Sequence, residues 1–153
     1  QWSSSAASDV YKRQDVDDLS EFEGLDGIIC GIPTWNTGAD EERSGTAWDS
    51  ILEDIGELSL SGKKVAIFGL GDSSTYTENY CDAMEELHSY FTKAGAEMVG
   101  YVDKSSYTFD ESKSVIGETF CGLPLDEDSE SDLTDSRLET WASQLKGEIP
   151  SLG

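Results

Sequence analysis

Short apolar runs alternate along the chain with stretches whose apolar residues recur every three or four positions. Gly27-Ile28-Ile29-Cys30-Gly31-Ile32 is a continuous apolar run, the pattern of a strand buried on both faces of a parallel sheet. Trp48, Ile51, Leu52 and Ile55 follow at helical spacing and make one face of a helix. Thr46 stands where an N-cap belongs, Asp49 sits in the capping-box position, and Gly56 ends the pattern. Val65-Ala66-Ile67-Phe68-Gly69 predicts a second buried strand. A helix is predicted over residues 79–94, with Tyr80, Ala83, Met84, Leu87 and Phe91 on its apolar face and Gly95 as its stop. Residues 97–102 read as a third strand, residues 103–118 as polar, turn-rich chain without a period, and Thr119-Phe120-Cys121-Gly122-Leu123-Pro124 as strand again. Two strand pieces flanking a long polar loop read as one strand interrupted by an insertion. A last helix is predicted with Thr134 as N-cap and Leu133 and Leu138 as a hydrophobic staple. Its buried face is Leu138, Trp141, Ala142, Leu145 and Ile149.

Strands alternating with helices imply right-handed βαβ units and a doubly wound parallel α/β sheet. In such sheets ligands bind outside the carboxyl ends of the strands, so the loops directly after strands matter most. The first is Pro33-Thr34-Trp35-Asn36-Thr37-Gly38 and the second Gly71-Asp72-Ser73-Ser74-Thr75-Tyr76. Each delivers one aromatic side chain to the same edge. Two aromatics placed there can sandwich a planar heteroaromatic ring, and the small polar residues beside them can bond its rim. Equally, Trp35 and Tyr76 can simply roof the sheet.

Composition narrows the classes. Residues 1–14, QWSSSAASDVYKRQ, are Ser- and Ala-rich, lack either periodicity and read as a non-native leader, which leaves 15–153 as a partial domain. The formal net charge of −22 opposes phosphate backbones and anionic membranes, so nucleic acid is not an expected partner. It favours docking onto basic protein surfaces. Three cysteines without paired spacing argue against a disulfide framework. Cys30 and Cys121 fall inside apolar runs and read as small core residues. No apolar run approaches the ~18 residues that a membrane helix needs. His88, the single histidine, lies mid-helix beside the apolar face and reads as a packing residue. No metal cluster, nucleophile–base pair or Walker loop stands out, so bond-making catalysis is not expected.

The loop motifs, taken together, resemble a known family. Pro33-Thr34-Trp35-Asn36-Thr37-Gly38, then Phe68-Gly69-Leu70-Gly71-Asp72, then Tyr76 and Asn79, look like the two flavin loops of flavodoxins. Gly38-Ala39-Asp40-Glu41-Glu42-Arg43-Ser44-Gly45-Thr46-Ala47-Trp48-Asp49 is similar to algal members. The Gly122-Leu123-Pro124-Leu125-Asp126 run, the interrupted last strand and the Trp141 helix resemble the long-chain subclass of algae and cyanobacteria. That resemblance implies a flavodoxin-like fold and a low-potential one-electron carrier, not an enzyme, that uses non-covalently bound FMN. Trp35 and Tyr76 would flank the ring, Asn36, Thr37 and Gly38 would meet its N5 edge, and Asp72 with nearby backbone would meet its pyrimidine edge. Thr34, Gly71 and Asn79 complete the implied FMN set.

The implied partners are redox proteins with basic docking surfaces, of the photosystem I and ferredoxin–NADP reductase type. The implied setting is a plastid stroma if algal, or the cytoplasm if cyanobacterial. The pattern departs from the family at its start. No strand, Ser/Thr/Gly-rich phosphate loop or first helix is recognisable ahead of Gly27, so the chain reads as shortened at its amino end and is expected to bind FMN poorly. A flavodoxin-like domain of a larger diflavin reductase and a non-redox receiver-like signalling module remain as alternatives. Residues 36–57 and 126–139 each hold seven acids and one arginine. At ~10 Å and an effective dielectric of ~20, each such charge costs about 1.7 kcal/mol for an electron added to the ring, which favours a low potential.

Overall fold

A computed structural model describes residues 19–24 and 27–149. The leader expected over residues 1–14 lies outside the described residues; ahead of the first strand only Leu19–Gly24, a 3₁₀ helix, is described, and the rest of the segment expected to lack a strand, phosphate loop and first helix lies outside them. The sheet is parallel, as alternating strands and helices require. Strand β1 (Gly27–Pro33) pairs along its whole length with β2 (Lys64–Leu70). On the other edge of β2 lie two short strands, end to end: β3 (Glu97–Val99) beside Lys64, Val65 and Ala66, and β7 (Leu123–Leu125) beside Phe68, Gly69 and Leu70. Between them the chain leaves the sheet and folds β4 (Val102–Asp103), β5 (Val115–Ile116) and β6 (Thr119–Phe120) into a small antiparallel sheet in the order β4-β6-β5.

Helices cover both faces. Helix α1 (Leu52–Gly56) and helix α2 (Ala83–Lys93) pack on one side. There Ile28, Cys30, Ile32, Val65 and Ile67 meet Ile55, Met84, Leu87 and Phe91. Helix α3 (Thr134–Glu148) lies on the other side, where Trp141 and Leu145, with Ile149 just beyond the helix end, pack on Ala66, Leu123 and Leu125. All three cysteines are free and buried, and burial pushes the Cys30 and Cys121 thiols up to about 12, so neither is a nucleophile near neutral pH. Among the described residues, no helix is long and apolar enough to cross a membrane.

Several predicted boundaries move, each for a tertiary reason. The third strand stops at Val99 because Gly100 turns to φ +80. Its carbonyl accepts from Trp141 Nε1 at 2.8 Å and its N–H donates to Glu148 at 2.7 Å, so α3 is bolted to this break. The predicted strand over residues 119–124 divides: Thr119 and Phe120 join the small sheet, and only from Leu123 does the chain rejoin β2. Helix α2 starts at Ala83 rather than residue 79. Residues 77–82 instead hold the segment 110–114: Tyr80 N–H bonds the Glu111 carbonyl, the Ser114 hydroxyl bonds the Cys81 carbonyl, and Lys113 N–H bonds Asp82. Cys81 takes φ +53 to do this, a strained value for a residue with a side chain.

The caps differ as well. Thr46 does cap, accepting from Trp48 N–H, but the turn that follows is 3₁₀ (Ala47–Ser50) before α1 begins. Thr134 is the first residue of α3, with its hydroxyl on Glu127, and Leu133 is exposed rather than stapled. Strand β1 alternates between buried and half-buried positions, whereas a strand covered on both faces was expected. Ile28, Cys30 and Ile32 face the α1–α2 core, while α3 packs on the opposite face nearer β2 and β7.

Glycine positions test this packing. A Cβ on Gly122 would lie 2.2 Å from the Ile67 carbonyl oxygen, which is backbone and cannot rotate away. Gly122→Ala is therefore expected to destabilise the fold by about 3 kcal/mol or more. Gly147, inside α3 with open space around its Cα, should gain about 0.5–1 kcal/mol on replacement by Ala. Urea midpoints of the two variants should move in opposite directions.

Candidate functional site

Strands β1, β2 and β7 end in register, Pro33 beside Leu70 and Leu70 beside Leu125. The loops that follow them therefore emerge side by side at one edge. Backbone bonds continue the sheet across that edge: Thr34 N–H donates to the Leu70 carbonyl at 3.1 Å and Gly71 N–H to the Leu125 carbonyl at 3.0 Å. Of the five large apolar side chains exposed among the described residues, Trp35 (73% exposed), Leu70 (37%) and Tyr76 (48%) all belong to this edge. Exposed tryptophan and tyrosine are costly surface, and their grouping on loops at one strand end makes this edge the candidate binding site.

The loop after β1 is built outward from β1. Trp35 and Asn36 donate their N–H groups to the carbonyls of Ser44 and Arg43, at 3.2 and 2.9 Å, so the loop returns on itself. Its tip, Asn36 to Ala39, closes with the Ala39 N–H on the Asn36 carbonyl at 3.1 Å, and Gly38 takes φ +86. This is the type II pattern, whose third residue favours glycine. The Asn36 amide donates to the Glu42 carbonyl at 2.8 Å and the Thr37 hydroxyl to the Thr34 carbonyl at 3.2 Å. The base of the loop is clasped by α2. Both oxygens of the buried Glu86 carboxylate accept backbone N–H groups, from Glu42 and Arg43, each at 2.7 Å. The Arg43 guanidinium, itself buried, donates to Glu85 at 2.7 Å, the Asp82 carbonyl at 3.2 Å and the Asp40 carbonyl at 2.9 Å.

The loop after β2 is built by carboxylates. Asp72 Oδ1 accepts from the N–H groups of Ser74 and Thr75, both at 3.1 Å, and from the hydroxyls of Ser74 and Ser129, both at 3.0 Å. Hydrogen bonds from Thr75, side chain and backbone, lead those that hold the Asp72 carboxyl down to about 2. Asp126, fully buried at the end of β7, ties this loop to the next one. It accepts from the Ser73 N–H and hydroxyl and from the N–H groups of Asp128 and Ser129, at 2.6–3.0 Å. Burial raises its pKa, but these donors outweigh burial and the net shift is downward.

The positions expected to bind FMN fall into two groups. Trp35, Asn36, Thr37, Gly38 and Tyr76 lie on the outer parts of the two loops. Thr34, Gly71, Asp72 and Asn79 form their frame. The Thr34 hydroxyl accepts the Ala83 N–H at 3.1 Å and so caps α2 from outside the helix. A Cβ on Gly71 would lie 2.9 Å from Cys81 Sγ, so this glycine allows the loop to pass the helix start. Asn79 bonds back to the Tyr76 carbonyl through its N–H. Sequence reasoning missed Arg43, Glu86, Ser73 and Asp126 as site-building residues. Asp126 had a visible signal, since it directly follows a strand at the carboxyl edge; Glu86, four residues after the Asp82 that precedes α2, had none.

Comparison with known proteins agrees with this fold. The sequence profile described as Flavodoxin matches residues 3–141; that span includes residues 3–14, which the sequence reading set aside. The flavodoxin of Synechococcus elongatus is 43% identical over 132 residues, covering 86% of this chain and 75% of that protein. That of Synechocystis is 41% identical over 134 residues, covering 88% and 75%. Among solved structures, Fusobacterium nucleatum flavodoxin bound to flavin mononucleotide aligns with a TM-score of 0.78 at 29% identity, covering 86% of this chain and 76% of that one.

The low pKa of Asp72 carries a pH dependence with a definite sign. A carboxyl held below its unfolded value adds stability that is present above the unfolded pKa of about 3.9 and fades as pH falls toward the folded value. Asp72→Asn keeps an acceptor oxygen but not the charge. Its stability deficit, measured by urea unfolding, should be largest above about pH 5 and should vanish on approach to about pH 2. A deficit that stays constant across that range contradicts the charged role of Asp72.

Proposed function

We propose that this chain, which belongs to the flavodoxin family, carries single electrons between redox proteins on one non-covalently bound FMN. The observation that carries the reading is the exposed Trp35 and Tyr76 pair on neighbouring loops at the carboxyl edge of a parallel sheet. In this reading the two rings flank the isoalloxazine, and the turn from Asn36 to Ala39 lies at its N5 edge. Asp72 and nearby backbone, Gly71 included, meet the pyrimidine edge, with Asp72 Oδ1 engaged by Ser74 and Thr75 of its own loop. Thr34 and Asn79 act by fixing the two loops. The relative with FMN bound in its structure and the exposure of both aromatic side chains on loops at one sheet edge support this assignment. FMN supplies reversible one-electron chemistry that protein side chains lack; the chain binds it, orients it and sets the field around it. The function is electron transfer rather than catalysis of a reaction.

The partners in this reading are redox proteins with basic docking faces, ferredoxin–NADP reductase as acceptor and photosystem I as donor. The setting is the plastid stroma of an alga or the cytoplasm of a cyanobacterium; the cyanobacterial relatives support the photosynthetic context. The charge supports basic partners. At the carboxyl edge Asp40, Glu41, Glu42, Glu127 and Asp128 are exposed, and the net charge is −22.

Two measurements test the proposal. Trp35→Ala and Tyr76→Ala should each weaken FMN binding by about 1–3 kcal/mol, the usual scale for base-like rings stacked on an aromatic. Fluorescence titrations in which both variants match the unsubstituted chain would exclude the sandwich. Electron transfer to a basic reductase should slow as salt rises, because the screening length shrinks from about 10 Å near 0.1 M to about 3 Å near 1 M. Stopped-flow rates indifferent to salt over that range would remove electrostatic steering from the account.

A further inference from the structure

The loop that carries Trp35 is not anchored by β1 alone. Its returning arm, residues 42–44, hangs from α2 by the Glu86 carboxylate, which holds the N–H groups of Glu42 and Arg43 at 2.7 Å each. That arm in turn supplies the carbonyls that hold the N–H groups of Trp35 and Asn36. Glu42 sits at φ +54, a left-handed value that is strained for a residue with a side chain and persists only where neighbours enforce it. The Glu86 carboxylate is placed to enforce it. The Arg43 side chain closes the same clasp on α2 through Glu85 and the Asp82 carbonyl, and reaches forward to the Asp40 carbonyl.

One part of the loop escapes this clasp. The turn from Asn36 to Ala39 is closed by the Ala39 N–H on the Asn36 carbonyl, the Thr37 hydroxyl and the Asn36 amide, and a Cβ on Gly38 would meet nothing within 4 Å. At Gly38 the turn's own hydrogen bonds, rather than packing, hold the backbone. The N–H of Asn36, one bond before the turn, is pinned to the Arg43 carbonyl. The clasp therefore divides the loop into a fixed base that holds Trp35 and a tip that lies outside it.

We propose that Glu86, assisted by Arg43, is a positioning residue for the electron-transfer site: it fixes the base of the loop after β1, so that rearrangement at the ring edge is confined to residues 36–39. This rests on the FMN reading above. Glu86 touches no cofactor in this scheme and acts through the backbone of Glu42 and Arg43.

Glu86→Gln tests it. An amide offers one acceptor and presents an NH₂ to the second backbone N–H, so one bond is lost and two donors face each other. On the flavin-free chain, amide hydrogen exchange at Asn36, Glu42 and Arg43 should speed up by about tenfold or more, while exchange in β2 stays as it was. On the FMN-loaded chain, the separation of the two one-electron midpoint potentials should change, with FMN still bound. Glu97→Gln, which removes the same charge from an exposed position at the opposite end of the sheet, should alter neither readout. Where Glu86→Gln does not fold, Glu86→Asp keeps the charge, shortens the reach by one methylene and should give the same pair of changes. Unchanged exchange at those amides overturns the clasp. Faster exchange with unchanged potentials reduces Glu86 to a structural role and overturns the proposal. Failure of the unsubstituted chain to bind FMN at all is a different result: it rejects the FMN reading, and with it the positioning role, whatever the exchange data show.

Discussion

Everything at the functional edge depends on β2 being flanked at close range along both of its edges and both of its faces. It is the one strand among the described residues with main-sheet partners on each edge, β1 on one and the end-to-end pair β3 and β7 on the other. Its side chains alternate between two cores: Val65 and Ile67 belong to the α1–α2 side, and Ala66 and Phe68 pack with α3. Such close approach needs residues without side chains at fixed points. Gly31 lies under the Phe68 ring, where a Cβ would come within 2.2 Å of it. Gly69 makes room for Met84 of α2, and Gly122 passes the Ile67 carbonyl. These glycines are sequence features of the strands, but what they accommodate is visible only in three dimensions.

From that central strand the site follows by register. Parallel pairing brings Pro33, Leu70 and Leu125 to one level, so the three loops begin together. The loops then hold one another rather than relying on regular structure. Thr34 of the first loop caps α2, Asp126 after β7 holds Ser73 of the second loop, and Ser129 reaches Asp72. Asp126 is the stiffest of these ties, because it is buried and a donor lost there leaves its charge less satisfied. The exposed Trp35 and Tyr76 are thus carried by loops tied to one another, which in the proposed reading lowers the ordering cost of holding a flat ligand.

The sheet, both helical faces and the two aromatic loops were legible in the sequence because each rests on local pattern: apolar runs, helical spacing, and aromatics directly after strands. What was hidden rests on pairing between distant residues. Nothing local marks Gly100 as the point where a strand must break, because the break serves the Trp141 indole and the Glu148 carboxylate far along the chain. The start of α2 was misread because residues 79–82 suit a helix, yet their polar groups are claimed by Ser112, Lys113 and Ser114. The small sheet of β4, β5 and β6 is too short to show a period, with two residues in each strand. Glu86 carries no local signal, since its partners are backbone groups more than forty residues away in sequence.

The acids that dominate the composition therefore have two separate functions. Glu86, Asp82, Asp126 and Asp72 accept backbone N–H groups and shape the loops. They replace the solvation that buried or turn N–H groups would otherwise lose, and a neutral side chain of similar size does this less well. Asp40, Glu41, Asp128 and Asp132 are exposed, and no such bond from their carboxylates is seen among the described residues. Their contribution is long-range: each adds negative potential to this edge, which disfavours further negative charge there. The two sets also answer differently to solvent. Salt screens the exposed acids within a Debye length but leaves short, buried hydrogen bonds nearly untouched. A high-salt medium thus weakens the field around the site while the loops that build the site keep their shape, so binding geometry and electrostatic tuning are separable properties of the same carboxylate-rich edge.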